Sequence, residues 1–209
     1  MFIETLKSKF NYNEPIFTNE ILSTFTEYSR AYIFKLINKA KIKGQILNYD
    51  NGIYYLPKET ILGPSLISIE EVLKKKYIKS RDKIYGIYSG LSLQNAFSLT
   101  TQMPNTIEII SNNESMRTRK FTMHGRNIII RKSRYEINAL NEKTYILLQF
   151  FLELPKNTII SDDVKKSIKN FVVNNQISLT EVFELSKYFP AKAIKNLIFN
   201  EVINDFTQW

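Results

Sequence analysis

The chain has 209 residues, 44% of them hydrophobic, with 29 Lys and Arg against 20 Asp and Glu for a formal net charge of +9. That length gives room for one large domain or two small ones, and the composition is that of an ordinary soluble globular protein. The absence of cysteine excludes a disulfide scaffold and thiolate metal sites and fits a cytoplasmic setting. No apolar run approaches the ~18 residues that span a membrane.

Charge is spread unevenly. Residues 1–58 carry 8 Lys and Arg against 5 Asp and Glu, residues 59–150 carry 14 against 8, and residues 151–209 carry 7 against 7. Any attraction for a polyanion therefore resides in the first two thirds of the chain.

The N-terminal stretch MFIETLKSKF has Glu4 among its lysines and no uninterrupted apolar core, so a signal peptide is not expected. It reads as a helix with Phe2, Ile3, Leu6 and Phe10 on its apolar side. From Ile16 to Pro57 the pattern is helix, turn, longer basic helix and hairpin. Thr18 is placed to cap a short helix through Phe25, and Thr26 to cap the next. In that second helix Ile33, Leu36, Ile37 and Ala40 share one face. Gly44 stops it, and Asp50-Asn51-Gly52 turns a two-stranded hairpin. This order is that of a winged helix-turn-helix, which lays its second helix in the major groove of DNA.

Between Glu27 and Lys43 there are five Lys or Arg and one acid. Tyr28, Arg30 and Ala31, near the start of the helix, are candidate base readers. Ser29, Tyr32 and Asn38 flank them, and Lys35 and Lys39 are candidate phosphate contacts. Asn51 at the hairpin tip and Lys58 beyond it are placed to touch the minor groove or the backbone. A solvated helix face is the bland alternative for such a basic stretch.

Pro57, Gly63 and Pro64 punctuate a segment where the first domain, residues 1–58, is expected to hand over to a second, residues 59–209. Ser65 or Ser68 then caps a helix, with Glu71 completing a capping box, and Lys74, Lys75 and Lys76 complement its dipole. A strand at Tyr85–Tyr88 leads through Ser89 and Gly90 into a helix at Leu91–Phe97. Beyond Pro104, Thr106–Ser111, Arg119–Met123, Asn127–Arg131 and Tyr135–Ile137 read as short strands. Arg117, Arg119, Lys120, Arg126, Arg131, Lys132 and Arg134 gather here. They are a candidate patch for phosphate or an acidic partner, or else protection of exposed strand edges.

From Asn141 the chain reads as helical: Asn141–Leu154, then a helix capped by Ser161 or Asp162. One capped by Ser178 follows, and a last runs from Ala191 to Asp205. Phe183, Tyr188, Phe189, Leu197, Ile198 and Phe199 are expected in the core. The fold class is thus α+β: an N-terminal winged helix, a small, mainly antiparallel sheet at about 84–137, and helices over 141–206.

Catalytic patterns do not emerge. No Walker loop, Gly-rich dinucleotide turn or His-Glu-x-x-His occurs. Ser89-Gly90 lacks the flanks of a nucleophile elbow, and His124 is a lone histidine at a turn. Glu108 on a basic sheet is the one hint of a metal nuclease, and Ile110 stands where such a site has lysine. A non-enzyme without catalytic residues, metal or cofactor is expected.

The winged helix ending in GIYYLPK, the stretch YGIYSGLSLQNAFSLTTQMPNTIEI and the C-terminal SKYFPAKAIKNLI together resemble the AbiEi-like antitoxins. The similarity covers most of the chain and is most specific at Gly52-Ile53-Tyr54 and from Ser89-Gly90-Leu91 through Thr100-Thr101-Gln102-Met103-Pro104. The resemblance implies a bacterial transcriptional regulator of a type IV toxin–antitoxin operon. Such a regulator binds inverted repeats in double-stranded DNA upstream of its own genes, as a dimer on DNA. Its second domain counteracts a nucleotidyltransferase-like toxin without a stable complex. The competing reading is a protein-interaction module that binds a partner directly and does not read DNA.

Overall fold

Ile3, Leu6 and Phe10 recur at a helical spacing. In the computed structural model, which describes residues 1–206, all three are buried, on and just beyond helix α1 (Phe2–Lys9). Residues 207–209, the end of the second expected domain, lie outside the described residues. Strand β1 (Ile16–Phe17), helix α2 (Thr18–Thr24), helix α3 (Arg30–Ile42) and strands β2 (Leu47–Asp50) and β3 (Ile53–Tyr55) follow. The strands form an antiparallel sheet in the order β1-β3-β2.

Two helix starts differ from the sequence reading. Ile16 and Phe17 belong to a strand, and the Glu20 carboxylate accepts the Phe17 N–H at 2.8 Å, so Phe17 occupies the position expected of Thr18. The longer helix begins at Arg30. Ser29, not Thr26, caps it by accepting the Tyr32 N–H at 3.3 Å. Ile33, Ile37 and Ala40 are buried as their spacing requires, and Leu36 is half-buried. Gly44 then adopts φ +67, and the Gln45 N–H donates to the Ala40 carbonyl at 3.0 Å, a glycine-ended helix as expected.

Strands β4 (Glu59–Thr60) and β5 (Gly63–Pro64) make a short hairpin before helix α4 (Ile69–Leu73). The capping box forms: Ser68 Oγ accepts the Glu71 N–H at 3.2 Å and Glu71 Oε2 accepts the Ser68 N–H at 2.7 Å. Contacts divide the chain into two compact units, Met1–Lys75 and Lys76–Trp209, beside the expected domains of residues 1–58 and 59–209. The Pro/Gly-rich segment bends back onto the first unit because Ser65 Oγ donates to Asn13 Oδ1. Lys75, expected to complement a helix dipole, is instead buried. Its Nζ lies 2.7 Å from Glu14 and 2.9 Å from Glu20, and donates to the Pro15 carbonyl at 2.7 Å.

A π-helical turn over Lys74–Ile78 leads to a hairpin of β6 (Lys79–Ser80) and β7 (Lys83–Ile84). Strand β8 (Gly86–Ser89), helix α5 (Leu91–Ala96), and strands β9 (Thr106–Ser111), β10 (Thr118–Met123) and β11 (Arg126–Lys132) come next. Their sheet has the order β10-β11-β9-β8. The β10–β11 and β9–β8 pairs are antiparallel and the β11–β9 pair is parallel. Tyr135–Ile137, expected as a further strand, forms none. Side chains hold the backbone here and just before it: Asn112 Oδ1 accepts the Ile137 N–H at 2.9 Å, and Tyr145 Oη accepts the N–H of the preceding Arg134 at 2.9 Å.

Helices α6 (Glu142–Glu153), α7 (Asp162–Asn174), α8 (Leu179–Ser186) and α9 (Ala191–Phe199) complete a mixed α+β architecture with small, mainly antiparallel sheets and C-terminal helices. Tyr145, Leu147, Leu148, Phe150 and Phe151 of α6 are fully buried. They pack in one core with Val164 and Ile168, Val182, Leu197, and Ile87 and Ile110 of the sheet. Phe189 and Leu197 are buried as expected, but Phe183, Tyr188, Ile198 and Phe199 are 43–50% exposed. Helix α9 also ends earlier than its pattern suggests. The Asn200 side chain turns inward to accept the Ile160 N–H at 2.9 Å and donate to the Thr158 carbonyl at 3.0 Å, and a short 3-10 turn over Val202–Asp205 follows. Among the described residues no helix is long and apolar enough to cross a membrane.

Candidate nucleic-acid interface

Helix α3 buries one side and leaves the other in solvent. Ser29, Arg30, Ala31, Tyr32, Lys35, Asn38 and Lys39 are exposed and Tyr28 is half-buried, while Ile33 and Ile37 face the core. No acid sits within α3, so cations dominate the exposed face. An aromatic series runs outward from the core: Phe2 to Phe25 at 4.7 Å, Phe25 to Tyr28 at 6.4 Å, and Tyr28 to Tyr32 at 5.2 Å between ring centroids. It stiffens the start of the helix. The Arg30 guanidinium lies 5.7 Å from the Phe34 ring centroid, a contact that restrains it without using its donors.

The hairpin is fixed to both helices. Thr18 donates twice to the Gly52 carbonyl, from its N–H at 2.9 Å and its hydroxyl at 3.1 Å. Gly52 has φ +74, and an added Cβ would sit 3.1 Å from the Thr18 hydroxyl, so a glycine suits both its conformation and this approach. Lys41 Nζ donates to Asn48 Oδ1 at 3.4 Å, and Asn48 donates to the Ile53 carbonyl at 3.1 Å. Asn51 and Lys58 are both exposed, and the Lys58 N–H is held by Ser65 Oγ at 2.8 Å. Sequence periodicity locates the helix face. It does not reveal Thr18, Lys41 or Asn48 as the residues that hold the hairpin against the helices, because those bonds depend on how separate elements pack and not on a repeating pattern within one element.

The second basic group is less coherent than its sequence suggests. Strand pleating puts Lys120 and Arg131 on one face of the sheet and Arg119, Arg126 and Lys132 on the other, following the β10–β11 register. Arg131 pairs with the Glu108 carboxylate, and Arg126 donates to the Pro104 carbonyl at 3.3 Å. Arg117, Arg119, Lys120, Lys132 and Arg134 are exposed, with Arg119 lying 5.4 Å from the Phe121 ring centroid. His124 adopts φ +46 in the β10–β11 turn. Among the described residues no group of three or more His, Cys, Asp or Glu side chains is gathered to hold a metal ion.

A polar cluster missed at the sequence level surrounds Gly90. Its N–H donates to Glu153 Oε2 at 3.0 Å, and Gln149 Nε2 donates to Glu153 Oε1 at 2.8 Å. Burial pushes the Glu153 carboxyl above the usual range, assisted by the nearby Glu108 charge. The bonds from Gln149 and Gly90 and the charge of Arg131 only partly offset this. Ser89 Oγ and Gln149 Oε1 are buried without hydrogen-bond partners among the described residues.

A raised carboxyl pKa means that stability falls as pH rises from the ordinary value through the folded one. Glu153→Gln should therefore be at least as stable as the parent at pH 7 in urea titrations. The Gln149 amide can turn its free oxygen toward the new NH₂, and the advantage should shrink below about pH 4.3. A variant less stable by the same amount at both pH values would show that burial does not govern this carboxyl.

No curated protein matches the chain. One family model does, over residues 10–179, which include helix α3, the hairpin, the four-stranded sheet and the Gly90 cluster. On that match the chain belongs to the family of unknown function DUF6088.

Proposed function

We propose that the chain is a cytoplasmic, non-catalytic DNA-binding antitoxin and transcriptional autorepressor of a type IV toxin–antitoxin operon, opposing a nucleotidyltransferase-like toxin without a stable complex. In this reading α2, α3 and the β2–β3 hairpin are a winged helix-turn-helix, with α3 entering the major groove. The observation that carries it is the exposed face of α3, where Arg30, Lys35 and Lys39 stand opposite buried Ile33 and Ile37. The Thr18–Gly52 bonds support it, because they hold the hairpin in a fixed place beside the helices.

Tyr28, Arg30 and Ala31 then meet base edges, with Ser29, Tyr32 and Asn38 beside them. Lys35 and Lys39 neutralise phosphates, and Asn51 and Lys58 reach the neighbouring groove or backbone. Inverted repeats would be occupied by a dimer, one copy per half-site. The exposed members of the Arg117–Arg134 group provide further contacts to phosphate or to an acidic partner.

Fluorescence anisotropy with duplex from upstream of the gene tests this reading. Binding should weaken steeply with salt as counterions are released. Arg30→Ala combined with Lys35→Ala should cost about 2 kcal/mol of binding, roughly thirtyfold, and flatten the salt slope by about one ion per lost phosphate contact. Thermal stability should stay within about 1 kcal/mol, since both side chains are exposed. Equal affinity for upstream and random duplex would refute sequence-specific regulation.

A further inference from the structure

Helix α8 and the segment before α6 enclose an open cavity of about 300 Å³ in the second unit. Glu181, Glu184, Tyr135, Tyr188, Asn138 and Thr144 are among its lining residues, which include no Lys or Arg. Residues 151–209 balance 7 Lys and Arg against 7 Asp and Glu, so the acidic lining is a local feature. Glu181 accepts the Ser178 N–H through Oε2 at 3.0 Å, which leaves Oε1 for another donor. Glu184 is paired with Lys187 at 2.7 Å, but both side chains are more than 60% exposed, so that pair is weak and exchangeable.

Two further features make this a cavity for a ligand and not a bare acidic surface. Tyr135 and Tyr188 stack with ring centroids 4.2 Å apart and an interplanar angle of 28°, presenting a π surface at the cavity. Thr144 is only 4% exposed, and its hydroxyl makes no hydrogen bond among the described residues. An anion would meet two carboxylates, one of them only loosely held by the exposed Lys187. A neutral apolar molecule would desolvate those carboxylates without return. A cation with a short hydrocarbon stem satisfies every group: carboxylates for the charge, a hydroxyl to accept a hydrogen bond, and stacked rings for the stem and for cation–π attraction.

We propose that this cavity binds an organic cation of the guanidinium or alkylammonium class, either a free small molecule or the side chain of an arginine on a partner protein. The site lies wholly within Lys76–Trp209, so it stands or falls independently of DNA binding by the first unit.

Isothermal titration and NMR shift mapping of the full chain provide the test, with butylguanidinium, the capped peptide acetyl-Gly-Arg-Gly-amide and the neutral urea analogue of each (butylurea and the citrulline peptide) as probes. The cations should bind, with shifts centred on Thr144 and Tyr188, and the neutral analogues should not. Glu181→Gln with Glu184→Gln should weaken cation binding about tenfold while melting as the parent does, since glutamine preserves the capping box. Tyr188→Ala should weaken it separately. Tighter binding of the capped peptide than of butylguanidinium assigns the site to a partner's arginine, and the reverse assigns it to a free cation. Absence of binding at about 1 mM, equal binding of the neutral analogues, or unchanged affinity in the double variant would overturn the proposal.

Discussion

Lys75→Ala should destabilise the Met1–Lys75 unit by about 3 kcal/mol, the usual consequence of removing one partner from a buried ion cluster. The Lys75 side chain is 9% exposed and its Nζ contacts Glu14, Glu20 and the Pro15 carbonyl, with the Phe10 ring centroid 5.0 Å away. Deleting it leaves two carboxylates facing the vacated space with no cation between them. Burial raises the Glu14 carboxyl, but the Lys75 hydrogen bond and charge, with the Asn11 N–H, outweigh that and hold it below the ordinary value.

A depressed carboxyl contributes stability that is complete above the unfolded pKa and is lost as pH falls through the folded one. The gap between parent and variant should thus be full at pH 7 and close progressively below about pH 4.3. Urea unfolding at a series of pH values, followed by amide exchange of Ile33 and Ile37, measures this. Adding Glu14→Gln and Glu20→Gln to Lys75→Met should restore more than half of the loss, because a neutral cluster carries no orphaned charge. A Lys75→Ala variant within about 1 kcal/mol of the parent would mean that water reaches the cluster freely.

Gly86→Ala should cost the second unit about 3 kcal/mol as well, at the upper end for overpacking. A Cβ at Gly86 would lie 2.0 Å from the Tyr77 carbonyl oxygen and 2.7 Å from that of Ile110. Both obstacles are backbone, so no rotamer change relieves them. One of the carbonyls belongs to a strand that already pairs with β8 and β11. The fault here is space and not backbone angle. Gly44→Ala makes the contrast, since that position has φ +67 but nothing within 4 Å of the added carbon, and its cost should stay near 1 kcal/mol. In melting curves the Gly86 variant should lose about 10 °C. A loss as small as that at Gly44 would show that β8 shifts outward without penalty.

Legibility in the sequence followed the range of the interactions. Ile33, Ile37 and Ala40 announce their helix face because the pattern that buries them is local, and the Ser68–Glu71 and Ser178–Glu181 capping boxes form as spaced. Strand β1 was hidden because two residues, Ile16 and Phe17, are too short to alternate visibly; their partners Tyr54 and Ile53 lie far along the chain. Lys75 looked like a terminal helix charge, since nothing local shows that a π-helical turn follows and that Glu14 and Glu20 wait nearby. The exposed cations of α3 were readable. The Gly90 cluster and the Tyr135–Tyr188 cavity were not, because each assembles residues from separate elements through tertiary packing.

The order β10-β11-β9-β8 places β11 between two strands that are both made before it. On the ribosome, Thr106–Ser111 emerges with β8 already available, yet its other flank stays bare until Arg126–Lys132 has followed. For that interval TIEIIS is a short, aliphatic, proline-free ribbon of the kind that recruits foreign strands. Glu108 is its only charge. Before it pairs with Arg131, that carboxylate is the one charge in the ribbon, and its repulsion opposes the stacking of like strands.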